Sequence, residues 1–497
     1  MMKKFICVHG HFYQPPRENP WTGEVDAEVS AAPFRDWNER ISKECYEANA
    51  HAAIPDPKSG IAEHVNNFEA MSFDIGPTLL SWMKTKDPAT YRAILDADKK
   101  SLIERNGHGN AIAQCYNHLI MPLASRRDKT TQVIWGIKDF EFHYQRKPEG
   151  MWLPETAVDH ETLSVLAEQG IQYTILSPHQ ASRVRHLGFG SRWKSVQHES
   201  IDTKQAYRIL LEHGRQFHLF FYDAPLSRAV AFNGLLNNGD SFTQELLRAF
   251  SGRHDRPQLV STATDGETFG HHHRFGEMAL AYAVRKIKKE KLAHLINYGD
   301  FLYRQGSFWE VDIHDRTSWS CAHGIERWRS DCGCHIHHEE GWSQAWRTPL
   351  RESFDFLKGI VDTIFDSQGG ALLKDPWEAR NDIIELMLED GPEHRAAFLR
   401  KHVKKHDATD EAKIWDLLEA EKLSLFMYTS CGWFFDELSG IEPLIVMRFA
   451  ARMIEKIRPY APHGFEDKFF AILREAKSNL PEQGTGEAIF KRNFHGF

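Results

Sequence analysis

Short apolar runs that break off into acids and histidines constrain this chain more than any other feature. Residues 3–8 read as a buried strand that ends in His9-Gly10-His11, followed by a loop with Pro15, Pro16 and Pro20. Met151-Trp152-Leu153 stops at Pro154-Glu155, and the run 258–263 stops at Thr264-Asp265-Gly266-Glu267. Further strands are expected at 173–176, near 207–211 and near 217–222. Between them, 61–105 reads as mostly helical. Helices are also expected at 128–146, stopped by Pro148 and Gly150, at 159–169, closed by Gly170, and at 276–291. Alternating strand and helix over some 300 residues implies parallel β/α units. Polar residues gather where the strands end, which is where chemistry sits in β/α barrels and in doubly wound sheets alike.

After about residue 315 the texture changes. An irregular stretch rich in Cys, His and Trp reaches about 348, and helix then follows helix: 350–365, 377–389, 393–404, 409–428, 441–457 and 465–478. Ile414, Leu417, Leu418 and Leu425 share one helical face. The segment from Pro481 onward reads as a loose tail. Two domains are therefore expected, 1–315 and 316–497. With 69 acidic against 61 basic residues the net charge is −8, so no nucleic-acid partner is expected. No run approaches the roughly 18 apolar residues of a membrane helix, and the apolar stretch behind the basic start is too short for a signal peptide. Seven cysteines are too few for a disulfide scaffold, which points to the cytoplasm.

Four constellations can carry chemistry. His9 and His11, with Gln14, suit sugar-hydroxyl contacts or a metal, or are simply hydrogen-bonded loop histidines. Glu155, delivered by an apolar strand, suits a nucleophile or base, or caps the next helix. Asp265 and Glu267 stand in a loop with Gly266, Gly270, His271, His272 and His273. Cys321, Cys332, Cys334, His335, His337 and His338 include zinc-type ligands, but Cys-x10-Cys-x-Cys-His-x-His-His fits no standard finger, and no metal or other cofactor is expected.

In order along the chain these motifs resemble glycoside hydrolase family 57. His9-Gly10-His11-Phe12-Tyr13-Gln14-Pro15 is similar to the family's opening motif, Trp152-Leu153-Pro154-Glu155 to its third and Asp265-Gly266-Glu267-Thr268-Phe269-Gly270 to its fourth. The second keeps Gly109-Asn110 but carries Ile112 where Glu is expected. Tyr116 to Leu123 and Ser430-Cys431-Gly432-Trp433-Phe434-Phe435 look like two further family runs. The resemblance implies an α/β fold, a (β/α)7-type barrel followed by a C-terminal helical domain. It also implies a retaining glycosidase or transglycosidase acting on α-glucans or maltooligosaccharides, with Glu155 as nucleophile and Asp265 as general acid/base. His9, His11, Gln14, His118, Glu267 and His271 would contact sugar hydroxyls, and Trp152, Trp319 and Trp433 would stack on sugar rings. Competing readings are a metal-dependent polysaccharide deacetylase and a catalytically silent glucan-binding protein.

Overall fold

The computed structural model describes residues 3–55, 62–252, 256–336, 339–404 and 407–496. Two compact units emerge: Met1–Gln14, Ala27–Gln114 and Phe140–Asp315 form the first, and Pro15–Asp26, Cys115–Asp139 and Arg316–Phe497 the second. The expected division at 315 therefore needs a correction for two earlier segments, 15–26 and 115–139, which belong with the later residues. Polar bonds, one set buried and one at the surface, explain it. Arg380, fully enclosed, donates to Asp128 Oδ1 at 2.7 Å and Glu421 Oε2 at 3.1 Å. Trp21 Nε1 donates to Glu455 at 2.7 Å.

The first unit is α/β. Its backbone is a path of parallel strands: β1 (Lys4–Phe12), β2 (Ser72–Ile75), β3 (Ala113–Gln114), β4 (Met151–Trp152), β5 (Tyr173–Leu176), β6 (Gln216–Phe221) and β7 (Gln258–Asp265). β1 lies between β7 and β2, β3 pairs with β4, and β5 pairs with β6, all in parallel. Single parallel bridges, Phe73 to Ala111 and Gly150 to Tyr173, link β2 toward β3 and β4 toward β5. Just past β6, Asp223 N donates to Ser261 O of β7 at 2.8 Å. β1 and β7 are buried almost throughout, the pattern of parallel strands covered on both faces. Beyond β6 the ladder runs antiparallel into Ala206–Leu210, which pairs in parallel with Ser307–Ile313, itself antiparallel to Ala181–His186.

Two local expectations are corrected here. His9-Gly10-His11 is not a loop but part of β1, because the chain stays paired with β7 through His11 and with β2 through Phe12. The span 61–105 is not mostly helical from its start: Ala62–Val65 and β2 precede the helices Pro77–Lys86 and Pro88–Glu104.

The second unit is helical, with Arg347–Ile364, Ala408–Phe426 and Ile441–Ile457 as its longest elements after residue 316. The face of Ile414, Leu417, Leu418 and Leu425 is buried as its spacing requires. The expected loose tail is instead a helix, Gly486–Asn493, started by Thr485, whose side chain accepts from Ala488 N. Phe490 is fully buried, its ring edge-on to Phe469 at 5.4 Å and Phe470 at 5.5 Å. Among the described residues no helix is long and apolar enough to cross a membrane.

Removing that anchor tests the packing. Phe490→Ala should destabilise the protein by about 3–5 kcal/mol, read as a shift of the urea unfolding midpoint. A loss below about 1 kcal/mol would mean that the terminal helix contributes little.

Candidate active site

Residues i and i+2 of a strand share a face, so β1 presents His9 and His11 together. Register does the rest. Asp74 of β2 and Asp265 of β7 are the partners of His11 on its two sides, and Ser72 is the partner of His9. Asp74 holds both rings, with Oδ1 3.1 Å from His9 Nε2 and Oδ2 2.7 Å from His11 Nδ1. Ser72 Oγ lies 3.0 Å from His9 Nδ1. Gln114, with its amide oriented to satisfy its neighbours, donates to Asp74 Oδ2 at 2.8 Å and accepts from Gly76 N at 3.2 Å. The Trp152 ring stacks on His9 at 5.0 Å and on His11 at 4.9 Å.

The two histidines differ electrostatically. Burial is the largest influence on each and disfavours the imidazolium. For His9 it prevails, and the pKa falls below the ordinary value despite Asp74. A neutral His9 donates from Nε2 to Asp74 and accepts the Ser72 hydroxyl at Nδ1. For His11 the charge and hydrogen bond of Asp74, aided by Asp265 and Glu267, outweigh burial, and the pKa rises.

β7 delivers the acids. Gly266 is required there, because a Cβ would sit 2.3 Å from the Phe12 ring. At Gly270 φ is +132°, and a Cβ would meet Glu44 O at 2.4 Å. Asn49 Nδ2 donates to Phe269 O at 2.6 Å, tying the loop down. Glu267 turns inward and Oε1 accepts from Tyr46 Oη at 2.9 Å and Tyr13 N at 3.1 Å. Burial, then the charge of Asp265, pushes its pKa up to about 7. Asp265 is exposed by surface area. Protein still crowds its carboxyl, and desolvation raises the pKa, with His11 opposing and Asp74 reinforcing; its exposure tempers the shift.

Glu155 follows β4 in a strained turn. Its φ and ψ are 58° and 20°, left-handed for a residue that carries a Cβ, and Thr156 follows at φ 49°. Such a conformation costs on the order of 1–3 kcal/mol and persists only where its surroundings hold it. Gln180 supplies that hold: its Oε1 accepts from Thr156 Oγ1 at 2.9 Å, and its Nε2 donates to Thr156 O at 2.8 Å. Glu155 itself is half-buried.

The structure thus gathers His9, His11, Trp152, Asp265 and Glu267 in the first unit, with Gln14 half-buried and its Nε2 3.5 Å from Glu267. His271, also half-buried, pairs with Glu44 at 2.5 Å. Three expected contacts require correction. His9 and Trp152 are wholly buried with their rings stacked, so neither presents a surface to a sugar. Trp433, in the second unit, is also wholly buried; its Nε1 donates to Arg347 O at 3.3 Å and its ring packs on Phe354 at 5.9 Å, leaving no face for a sugar ring. His118, buried in the second unit at φ +54°, bonds Ser430 Oγ through Nδ1 at 2.7 Å. Trp319, in the same unit, is half-buried. His337 and His338 lie outside the described residues.

Sequence reasoning missed Asp74, Gln114 and Tyr46. Asp74 carries the same signal as the other acids, a short apolar run ending in a carboxylate, but it lies in a span that reads as helix. Both Asp74 oxygens are engaged by the histidines, so this trio is arranged as a hydrogen-bonded support, not as an open metal site.

Carboxyl groups therefore stand at the ends of two parallel strands, Glu155 after β4 and Asp265 at the end of β7, the latter with its pKa raised by crowding protein. The model of glycosyl hydrolase family 57 matches residues 7–310, and the chain belongs to that family. It is accordingly an enzyme of the glycoside hydrolase and transglycosidase class. A domain of unknown function, DUF3536, matches residues 342–496. No curated protein sequence matches the chain. Among solved structures, an exo-type maltose-forming amylase from Pyrococcus sp. ST04 superposes with a TM-score of 0.70 at 17% identity, over 95% of this chain and 83% of the other. A branching enzyme from Pyrococcus horikoshii gives 0.55 at 13% identity over 98% and 95% of the two chains. The α-amylase AmyC from Thermotoga maritima gives 0.53 at 11% over 99% of each. These likenesses establish the shared fold.

Glu267 offers a direct check on the electrostatics. Its folded pKa of about 7 exceeds the ordinary 4.5, so the protonated form is favoured in the folded state. That stabilisation is complete below about pH 4.5 and disappears as pH rises through about 7. Relative to Glu267→Gln, the wild type should lose on the order of 3 kcal/mol across that window. Parallel stability–pH curves for the two proteins would contradict the assignment.

Proposed function

We propose that this chain is a retaining glycosidase or transglycosidase acting on α-glucans such as maltodextrin, starch or glycogen, with Glu155 as nucleophile and Asp265 as general acid/base. The observation that carries the reading is the pair of acids rising from strand ends: Glu155 fixed in a strained turn after β4, and Asp265 in register with His11 and Asp74 with a raised pKa. The Glu155 carboxylate attacks the anomeric carbon while Asp265 gives its proton to the leaving oxygen. Asp265, now ionised, then takes a proton from water in hydrolysis, or from an acceptor sugar hydroxyl in transfer. A proton donor needs a pKa near the working pH, and the crowding around Asp265 moves its pKa in that direction. His11, whose own pKa is raised, opposes the rise at Asp265 and so eases its ionised form between the two steps.

The finer architecture belongs to the same proposal. The path β7-β1-β2-β3-β4-β5-β6, with the bond from Asp223 N back to Ser261 O, is that of a seven-stranded barrel, whose C-terminal strand ends surround one mouth. A retaining pair of carboxyl groups stands about 5–5.5 Å apart. His11, Gln14 and His271 are then the hydroxyl contacts of the first unit. The α-glucan substrate is supported by the amylases and the branching enzyme that share the fold. The net charge of −8 argues against a nucleic-acid partner. Seven cysteines with no disulfide suit the cytoplasm.

Incubation with maltooligosaccharides and with glycogen, followed by product chromatography, tests the substrate class. Glu155→Gln should abolish turnover, and Asp265→Asn should lower kcat by about 10²–10⁴-fold, both with unchanged unfolding midpoints. Wild-type activity in either variant would remove that residue from its role. NMR of the first-formed product should show the α-anomer; the β-anomer would replace the mechanism by an inverting one.

A further inference from the structure

The irregular stretch between Ser307–Ile313 and Arg347–Ile364 contains, among its described residues, only one short 3-10 turn, Glu326–Trp328. A connection on the order of 30 residues with so little regular structure is uncommon inside a compact domain, and something other than a backbone ladder must order it. Four side chains converge there. The ligand atoms of Cys321, His323, Cys332 and Cys334 all lie within 4.8 Å of one another. Cys321 Sγ is 3.9 Å from Cys332 Sγ and 3.8 Å from Cys334 Sγ, and Cys334 Sγ is 3.6 Å from His323 Nδ1.

Those separations have a chemical meaning. A tetrahedral zinc with Zn–S of about 2.3 Å and Zn–N of about 2.0 Å holds its sulfurs about 3.8 Å apart and sulfur from nitrogen about 3.5 Å apart. The two Cys321 sulfur–sulfur distances and the Cys334–His323 distance match those figures, and the remaining separations stay within 4.8 Å. They do not match a disulfide, whose sulfurs are about 2.05 Å apart, and a disulfide would leave the third thiol without a role. We propose that Cys321, His323, Cys332 and Cys334 hold a structural zinc ion in a closed Cys3His site.

The surroundings fit an anionic zinc–thiolate centre. Gly324 at φ +85° and Gly333 at φ +78° turn the chain beside the ligands, in a conformation that disfavours side chains. Arg347, wholly buried, donates from Nη1 to Cys334 O at 2.9 Å, and Arg327 donates to Ser320 O at 3.1 Å. Two guanidinium groups thus brace the ligand-bearing backbone and offset the net negative charge of three thiolates and a dication. Four protein ligands leave no open position, so the ion would order the stretch and take no part in bond cleavage. The spacing, Cys-x-His-x8-Cys-x-Cys, draws its histidine from the first pair of ligands and not from the His335–His338 run.

The test uses the full chain, expressed with zinc and purified without chelator. Mass-spectrometric metal analysis should find about one zinc per chain, and X-ray absorption should fit three sulfurs at about 2.3 Å and one nitrogen at about 2.0 Å. Cys332→Ser and Cys334→Ser should each lower bound zinc more than about tenfold, whereas His335→Ala should retain it. If the serine variants do not fold, the absorption shell of the wild type and the visible spectrum of its cobalt-substituted form decide the matter. Failure of reduced protein to take up zinc, a shell of nitrogen and oxygen alone, or a Cys321–Cys332 disulfide in the native peptide map would overturn the proposal. Loss of zinc from His335→Ala equal to that from the serine variants would overturn the ligand set.

Discussion

The Asp74 carboxylate is the interaction on which the candidate site depends. It is wholly buried and takes one hydrogen bond from each of two histidines on the neighbouring strand. A carboxyl group enclosed by protein is costly unless its oxygens are hydrogen-bonded, and here a third donor, Gln114, completes the set. This arrangement fixes the rotamers of His9 and His11, and the Trp152 ring closes over both. With the rings locked, His11 sits in register with Asp265, and its imidazolium is favoured relative to an ordinary histidine.

From that floor the charges divide. Asp74 raises the pKa of its neighbour His11, while Asp265 and Glu267, crowded by protein, have theirs raised by burial. Like charges in a poorly solvated site push carboxyl pKa values upward, which is how a carboxylic acid can still carry a proton near neutrality. Glu155 is placed by different physics. Its backbone strain is held by Gln180 bonding both the side chain and the carbonyl of Thr156. The electrostatics that act on Asp265 and the strain that places Glu155 thus arise from separate parts of the fold.

Much of this was legible in the residues. Strands that end in acids announce themselves because the apolar run and the polar stop are adjacent in sequence, as at Asp265 and Glu155. The helical second unit was legible from its periodicity, as at Ile414, Leu417, Leu418 and Leu425. What escaped depends on tertiary pairing. β3 and β4 are two residues each, too short for any period, and exist only because their neighbours hydrogen-bond them. Asp74 was hidden in a four-residue strand just ahead of two helices. Trp433 lies in a family-like run yet is core, because composition does not say which side of a ring is covered. The terminal helix has a polar composition, and only Ile489, Phe490 and Phe494 reveal that it is anchored. His323 escaped because it stands apart from the Cys- and His-dense run to which the fold brings it.

The division of labour between Glu155 and Asp265 is the central claim, and trapping the covalent intermediate tests it most directly. A fluorinated α-glucosyl fluoride, whose intermediate hydrolyses slowly, should inactivate the enzyme with the mass increase of one sugar. Peptide mapping should then place that sugar on Glu155. Label on Asp265 instead, or sustained turnover of the same reagent with product of inverted configuration, would contradict the account.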